Sequence, residues 1–86
     1  MNSNIETLYH MFDNRAEAIE FYVSEESRVT AEPLMNLTLK KNLLISMIYR
    51  NGAVIIPGGQ DQIRVGDSVM IVTTHKGLTD IKDILI

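Results

Sequence analysis

Two apolar runs meet at Asn51-Gly52, and that dipeptide constrains the fold more than any other feature of the chain. Asn-Gly between strand-like segments signals a β-hairpin, because a type I′ turn needs positive φ at both central residues. Leu43 to Arg50, apolar and partly β-branched, reads as a central strand with Leu44, Ser46 and Ile48 on one side. Ala53 to Ile56 reads as its partner. Pro57 ends it, since a residue without an N–H cannot donate to a ladder. Gly58 to Gln62 is then loop, Ile63 an isolated anchor, Val65-Gly66-Asp67-Ser68 a turn, and Val69 to Thr73 a returning strand.

Upstream, Ala16 to Val23 alternates. Ile19, Phe21 and Val23 point one way and Ala18, Glu20 and Tyr22 the other, the period of a strand. Ile5, Leu8, Tyr9 and Phe12 stand at i, i+3, i+4 and i+7, which predicts an amphipathic helix ending near Asp13-Asn14. Ser3 and Glu6 have the form of its capping box. Thr30-Ala31-Glu32-Pro33 opens a short helical turn that faces Leu34 and Leu37 inward, proline being suited to a first helical position. A final helix is expected from about Thr79, with Leu78, Ile81 and Leu85 on one face. The fold class predicted is α+β: a small mixed or antiparallel sheet of about four strands flanked by short helices.

The 86 residues suffice for one domain, and a chain of that size buries only roughly 60–65% of its unfolded surface. With 45% hydrophobic and 22% charged residues, some apolar surface is expected to face a partner, and a homodimer is the commonest closed arrangement. The net charge is −3 and the pI about 5.2. Lys40-Lys41 is the only basic pair, so the clustered charge that nucleic-acid binding requires is missing. Without cysteine there are no disulfides, thiol chemistry or Cys-ligated zinc, which fits a reducing cytoplasm. No apolar stretch approaches the ~20 residues that span a bilayer, and no signal-peptide core opens the sequence.

Catalytic constellations are not visible. The five glycines never form G-x-G-x-x-G or a P-loop and read as turn residues. Asp67 is expected to bond a neighbouring backbone N–H within its turn. Glu17 and Glu20 lie on opposite faces of one strand, the wrong geometry for a catalytic pair. His10 and His75 each lack a second ligand at metal spacing, and no G-x-S-x-G elbow exists. A non-enzymatic module is therefore expected. If the sheet closes in the ordinary way, Leu34, Met35, Ile56 and Pro57 come together, with Arg50 or Lys40 nearby. Those residues suit either an apolar pocket with a basic rim for a planar anionic molecule, or plain core and dimer surface.

The ordered set of Ala16 to Val23, Thr30-x-x-Pro33-Leu34-x-x-Leu37-x-Leu39, Ile48-Tyr49-Arg50 with Asn51-Gly52, Val54 to Gly59, and Val65-Gly66-Asp67-Ser68-Val69 resembles a known module. It is similar to the C-terminal (TrkA-C) lobe of the RCK family, found in Trk/Ktr-type potassium-uptake regulatory proteins. The resemblance runs from Ala16 to Ile86. It implies that residues 1–14 are the helix linking two lobes and residues 15–86 the regulatory domain. It also implies that any NAD or ATP site belongs to a Rossmann lobe outside this chain, and that no cofactor is held here. The implied function is a cytoplasmic ligand-sensing and dimerisation module, peripheral to the inner face of the membrane, that controls a membrane-embedded potassium transporter. Control of a cation/proton antiporter or anion carrier, or a ligand-free dimerisation cap, are the alternatives. Some family members bind cyclic di-AMP in an apolar pocket between two such lobes. By position the pocket would draw on Val29, Thr30, Leu34, Lys40, Lys41, Ile56 and Pro57, with Arg28 the nearest arginine for a phosphate. Backbone N–H groups at the Pro33 turn and a lysine would meet the phosphates.

Overall fold

Asn51 and Gly52 adopt φ of 51° and 80°, so the expected type I′ hairpin forms and fixes the register of everything beside it. The computed structural model describes residues 5–86. Five strands, β1 (Ile5–Met11), β2 (Ala16–Tyr22), β3 (Leu43–Arg50), β4 (Ala53–Ile55) and β5 (Ser68–Thr73), form one sheet. Its order is β1-β2-β5-β3-β4 and every neighbouring pair is antiparallel. An added Cβ at Gly52 would meet nothing within 4 Å, so substitution there strains only the backbone. Gly52→Ala is expected to cost about 1–2 kcal/mol, the penalty of a left-handed L-residue. Gly58→Ala, equally open and without a positive φ, should leave the melting temperature unchanged. Equal thermal shifts for the two variants would contradict this account.

Side chains directly opposite each other share a face, and the register defines two sets of rows. The inner rows are Ile5–Phe21–Val69–Ile48–Ile55, Leu8–Ile19–Ile71–Ile45 and His10–Glu17–Thr73–Leu43. Ile19, Phe21, Ile48, Val69 and Ile71 expose no surface at all. Covering them is a layer of loops carrying Val29, Ile63, Leu78, Ile81, Ile84 and Leu85, all buried. Three single 3-10 turns shape that layer: Arg28–Thr30, Leu34–Asn36 and Ile81–Ile84.

Two expected helices are replaced. Residues 5–11, expected to be helical, form edge strand β1; Ser3 of the expected capping box lies outside the described residues. The C-terminal helix is a single 3-10 turn. The Asp80 side chain caps it by accepting from Lys82 N–H, Asp83 accepts from Asp80 N–H, and the chain then extends into a bridge between Leu39 and Leu85. No α-helix occurs among the described residues, so the sheet is flanked by 3-10 turns alone and has five strands where about four were expected. Within β3 the inward residues are Ile45 and Ile48, and Leu44 is 61% exposed. The register slips between Ile45 and Met47, leaving Ser46 as a bulge whose hydroxyl donates to Met70 O at 3.0 Å.

Candidate functional site

The 3-10 turn at Leu34–Asn36 and the loop after β4 are joined by main-chain bonds. Leu34 N–H donates to Asp61 O (2.8 Å) and Met35 N–H to Gly59 O (2.9 Å). The loop is closed on itself, because Asp61 Oδ2 accepts from Gly58 N–H (2.7 Å). Gly59 permits the approach: a Cβ there would lie 3.1 Å from Met35 Cβ. The turn carrying Leu34 and Met35 therefore meets the loop that follows Ile56 and Pro57 through Gly59 and Asp61. Met35 and Ile56 stand outward at 62% and 75% exposure.

Other predicted residues take different positions. Val29 is fully buried in the core and Thr30 is 9% exposed, so neither offers its side chain to a surface ligand. Arg28 is exposed, beside a hollow of about 100 Å³ that it shares with Glu32, Asn36 and Thr38. Lys40 and Lys41 are tied to the C-terminal segment: Lys40 N–H donates to Ile84 O (2.9 Å), and His75 Nε2 lies 2.7 Å from Lys41 O. The Leu34 and Met35 N–H groups, expected to meet phosphates, are already occupied by Asp61 and Gly59. Charge for an anionic ligand has to come from side chains.

Beneath the turn lies a polar brace. Arg50 binds Asp67 through two bonds of 2.9 Å, Nε to Oδ1 and Nη2 to Oδ2, and its Nη2 also donates to Gln62 O (2.8 Å). Asp67 accepts a third bond from Arg64 N–H, as its turn position suggested, and Gln62 Nε2 donates to Thr30 O (2.6 Å). Asp67 is 1% exposed and the Arg50 side chain 18%. Burial by itself raises the Asp67 carboxyl, but the bonds from Arg50 and Arg64 outweigh it and hold the group below its ordinary value of 3.8. The same bond raises the Arg50 guanidinium. Arg50 is thus a structural cation turned inward, not the rim of a pocket. Its pairing escaped the sequence reading; the available signal was a strand-end arginine near an Asp in a tight turn.

The acids and histidines gather nowhere as a metal centre: no three His, Cys, Asp or Glu side chains are clustered among the described residues. Glu17 and Glu20 face opposite sides of the sheet, and His10 Nδ1 sits 3.7 Å from Glu17 Oε2. With this geometry in hand, comparison with known families is decisive: the model for the TrkA-C domain matches residues 18–86. The chain belongs to the TrkA-C family. Among curated relatives, Trk system potassium uptake protein TrkA homolog 1 of Methanosarcina mazei is 34% identical over 82 residues, covering 95% of this chain and 18% of that protein. The TrkA homolog of Archaeoglobus fulgidus is 37% identical over 70 residues (81% of this chain, 16% of that protein). That of Pyrococcus abyssi is 35% identical over 71 residues (81% and 31%). The chain thus spans less than a third of each of these relatives. The TrkA-C match takes in the Leu34–Asn36 turn, the loop after β4 and the whole Arg50–Asp67 brace, and it begins within β2. No helix among the described residues is long and apolar enough to cross a membrane.

Proposed function

We propose that this TrkA-C domain is a non-enzymatic regulatory module that senses a small anionic effector and passes the signal to a potassium-uptake transporter. The transporter is membrane-embedded and the module acts from the cytoplasmic side. The relatives' names supply the transport context. The observation that supports the sensing role is the exposure of Met35 and Ile56, on a turn and a loop that main-chain bonds tie together. Such a surface is complete only when something apolar covers it, and the proposed cover is a nucleotide effector held between two copies. Leu34, Met35, Ile56 and Pro57 would take its bases, Val29 and Thr30 would hold the platform in shape, and Arg28 with Lys40 and Lys41 would supply positive charge. The module is taken as residues 15–86, with strand β1 (Ile5–Met11) joined to the edge of its sheet. An effector shifts a transporter's equilibrium only through unequal affinity for its two states, and a site shared between copies provides this because moving the copies reshapes it.

Calorimetry with cyclic di-AMP tests the proposal. The expected result is binding at one ligand per two chains, abolished by Pro57→Asp and unchanged by His75→Ala. Absence of heat at millimolar ligand would remove the effector, and one ligand per single chain would remove the shared site.

A further inference from the structure

The sheet has a second face that no loop among the described residues covers. Its rows are Val54–Tyr49–Ser68–Tyr22, Met47–Met70–Glu20–Thr7 and Leu44–Val72–Ala18–Tyr9. Tyr9, Tyr22, Leu44, Met47, Tyr49 and Val54 are between 39% and 63% exposed. A contiguous apolar face of this kind marks an interaction surface. Its charge is one-sided: the rows hold Glu20 and no Lys, Arg or His, and Glu6 reaches the same face by accepting from the Ser68 hydroxyl (2.7 Å). Glu20 accepts from Thr7 Oγ1 (3.1 Å) and meets no cation among the described residues.

Glu20 forms part of the wall of a pocket of about 170 Å³ whose other sides are mainly Met47, Met70, Tyr49 and Val54. The chemistry selects among occupants. A second copy meeting this face through its own would match its apolar side chains but bring a further Glu20 and Glu6 with no cation to neutralise them. A lysine or arginine matches both parts of the pocket, its aliphatic stem lying along the methionines and its head group reaching the carboxylate. Flexible methionines beside Glu20, with Glu6 reaching the same face, suit the apolar stripe of a basic amphipathic helix. We propose that the outer face of the sheet docks an amphipathic helix of another protein, with a Lys or Arg of its apolar stripe inserted beside Glu20. This proposal does not rest on the effector reading.

The test is a fluorescence-anisotropy titration of the whole chain in physiological salt, using a labelled Leu/Lys peptide of about five helical turns patterned as an amphipathic helix. The comparators are the same composition scrambled and a Leu/Glu version. The patterned Leu/Lys peptide should bind at least about tenfold more tightly than either, the scrambled peptide controlling for charge alone. Glu20→Gln should weaken binding roughly fivefold or more and Met47→Lys should abolish it, whereas Lys76→Ala should change nothing. Circular dichroism confirms that each variant is folded. Equal binding of the Leu/Glu peptide, or parent-like binding by Glu20→Gln and Met47→Lys, overturns the proposal. So does a dimer in sedimentation that Met47→Lys dissociates, which would give the face to a second copy.

Discussion

Arg50→Ala is expected to destabilise the domain by about 3–5 kcal/mol, because it leaves a buried carboxylate without its cation. Asp67 is 1% exposed and would keep only its bond from Arg64 N–H. For a domain of this size the loss is about half of the folding free energy, roughly 5–10 kcal/mol. Urea denaturation measures it directly, and a loss below about 1 kcal/mol would show the pair to be dispensable. The sign of the pH dependence is fixed as well. Asp67 titrates in the folded state below its ordinary 3.8, so its contribution is complete above that value and fades as pH falls through the lower, folded one. In Arg50→Ala the lowering from Arg50 is gone while burial still pushes the group up. Acid unfolding should therefore begin at higher pH than in the parent. Arg50→Met combined with Asp67→Leu should be more stable than Arg50→Ala alone, since apolar replacement of both partners leaves no orphaned charge.

Phe21→Ala is expected to cost about 3–5 kcal/mol, while Tyr22→Ala, one residue along the same strand, should cost under about 1 kcal/mol. Phe21 exposes no surface and sits in the longest inner row, between Ile5 and Val69. Tyr22 belongs to the outer rows and is 41% exposed. Thermal and urea unfolding of the two variants should separate widely; similar losses would mean that the outer face is packed in solution. Phe21→Leu, which keeps most of the volume, should recover much of the loss.

What the sequence concealed has a common physical origin. A bulge adds one residue to a strand, so two inward side chains end up three apart instead of two. In β3 these are Ile45 and Ile48, on either side of the bulged Ser46. In β1 they are Ile5 and Leu8, with the slip falling between Ile5 and Thr7. Three-residue spacing is also the mark of a helix, so β1 read as one and the inner face of β3 was placed on the wrong residues. β2 and β5, paired to each other without a slip, were legible at once, as was the hairpin at Asn51-Gly52. At the C-terminus, Leu78, Ile81 and Leu85 fit a helix as well as they fit a 3-10 turn between extended ends. Only the caps Asp80 and Asp83 distinguish them.

Site legibility divided along similar lines. The turn at Leu34–Asn36 and the loop after β4 meet, through Asp61 and Gly59, as the strand order implies. Lys40 and Lys41 were placed by sequence proximity, yet the Leu39–Leu85 bridge draws them toward the C-terminal segment. The Arg50–Asp67 pair depends on a three-dimensional turn of the loop between them, which no local pattern records.

The middle strand of the sheet is the last to be made. While the chain emerges from the ribosome, β1–β2 and β3–β4 are complete as two separate hairpins, each marginal alone, and each keeps open the edge that β5 will fill. Synthesis at ~5–20 residues per second leaves those edges bare until Ser68–Thr73 has cleared the exit tunnel. Any product ending before Ser68 is therefore not a smaller version of the domain but two sticky halves. Quality control in the cell would meet it as such.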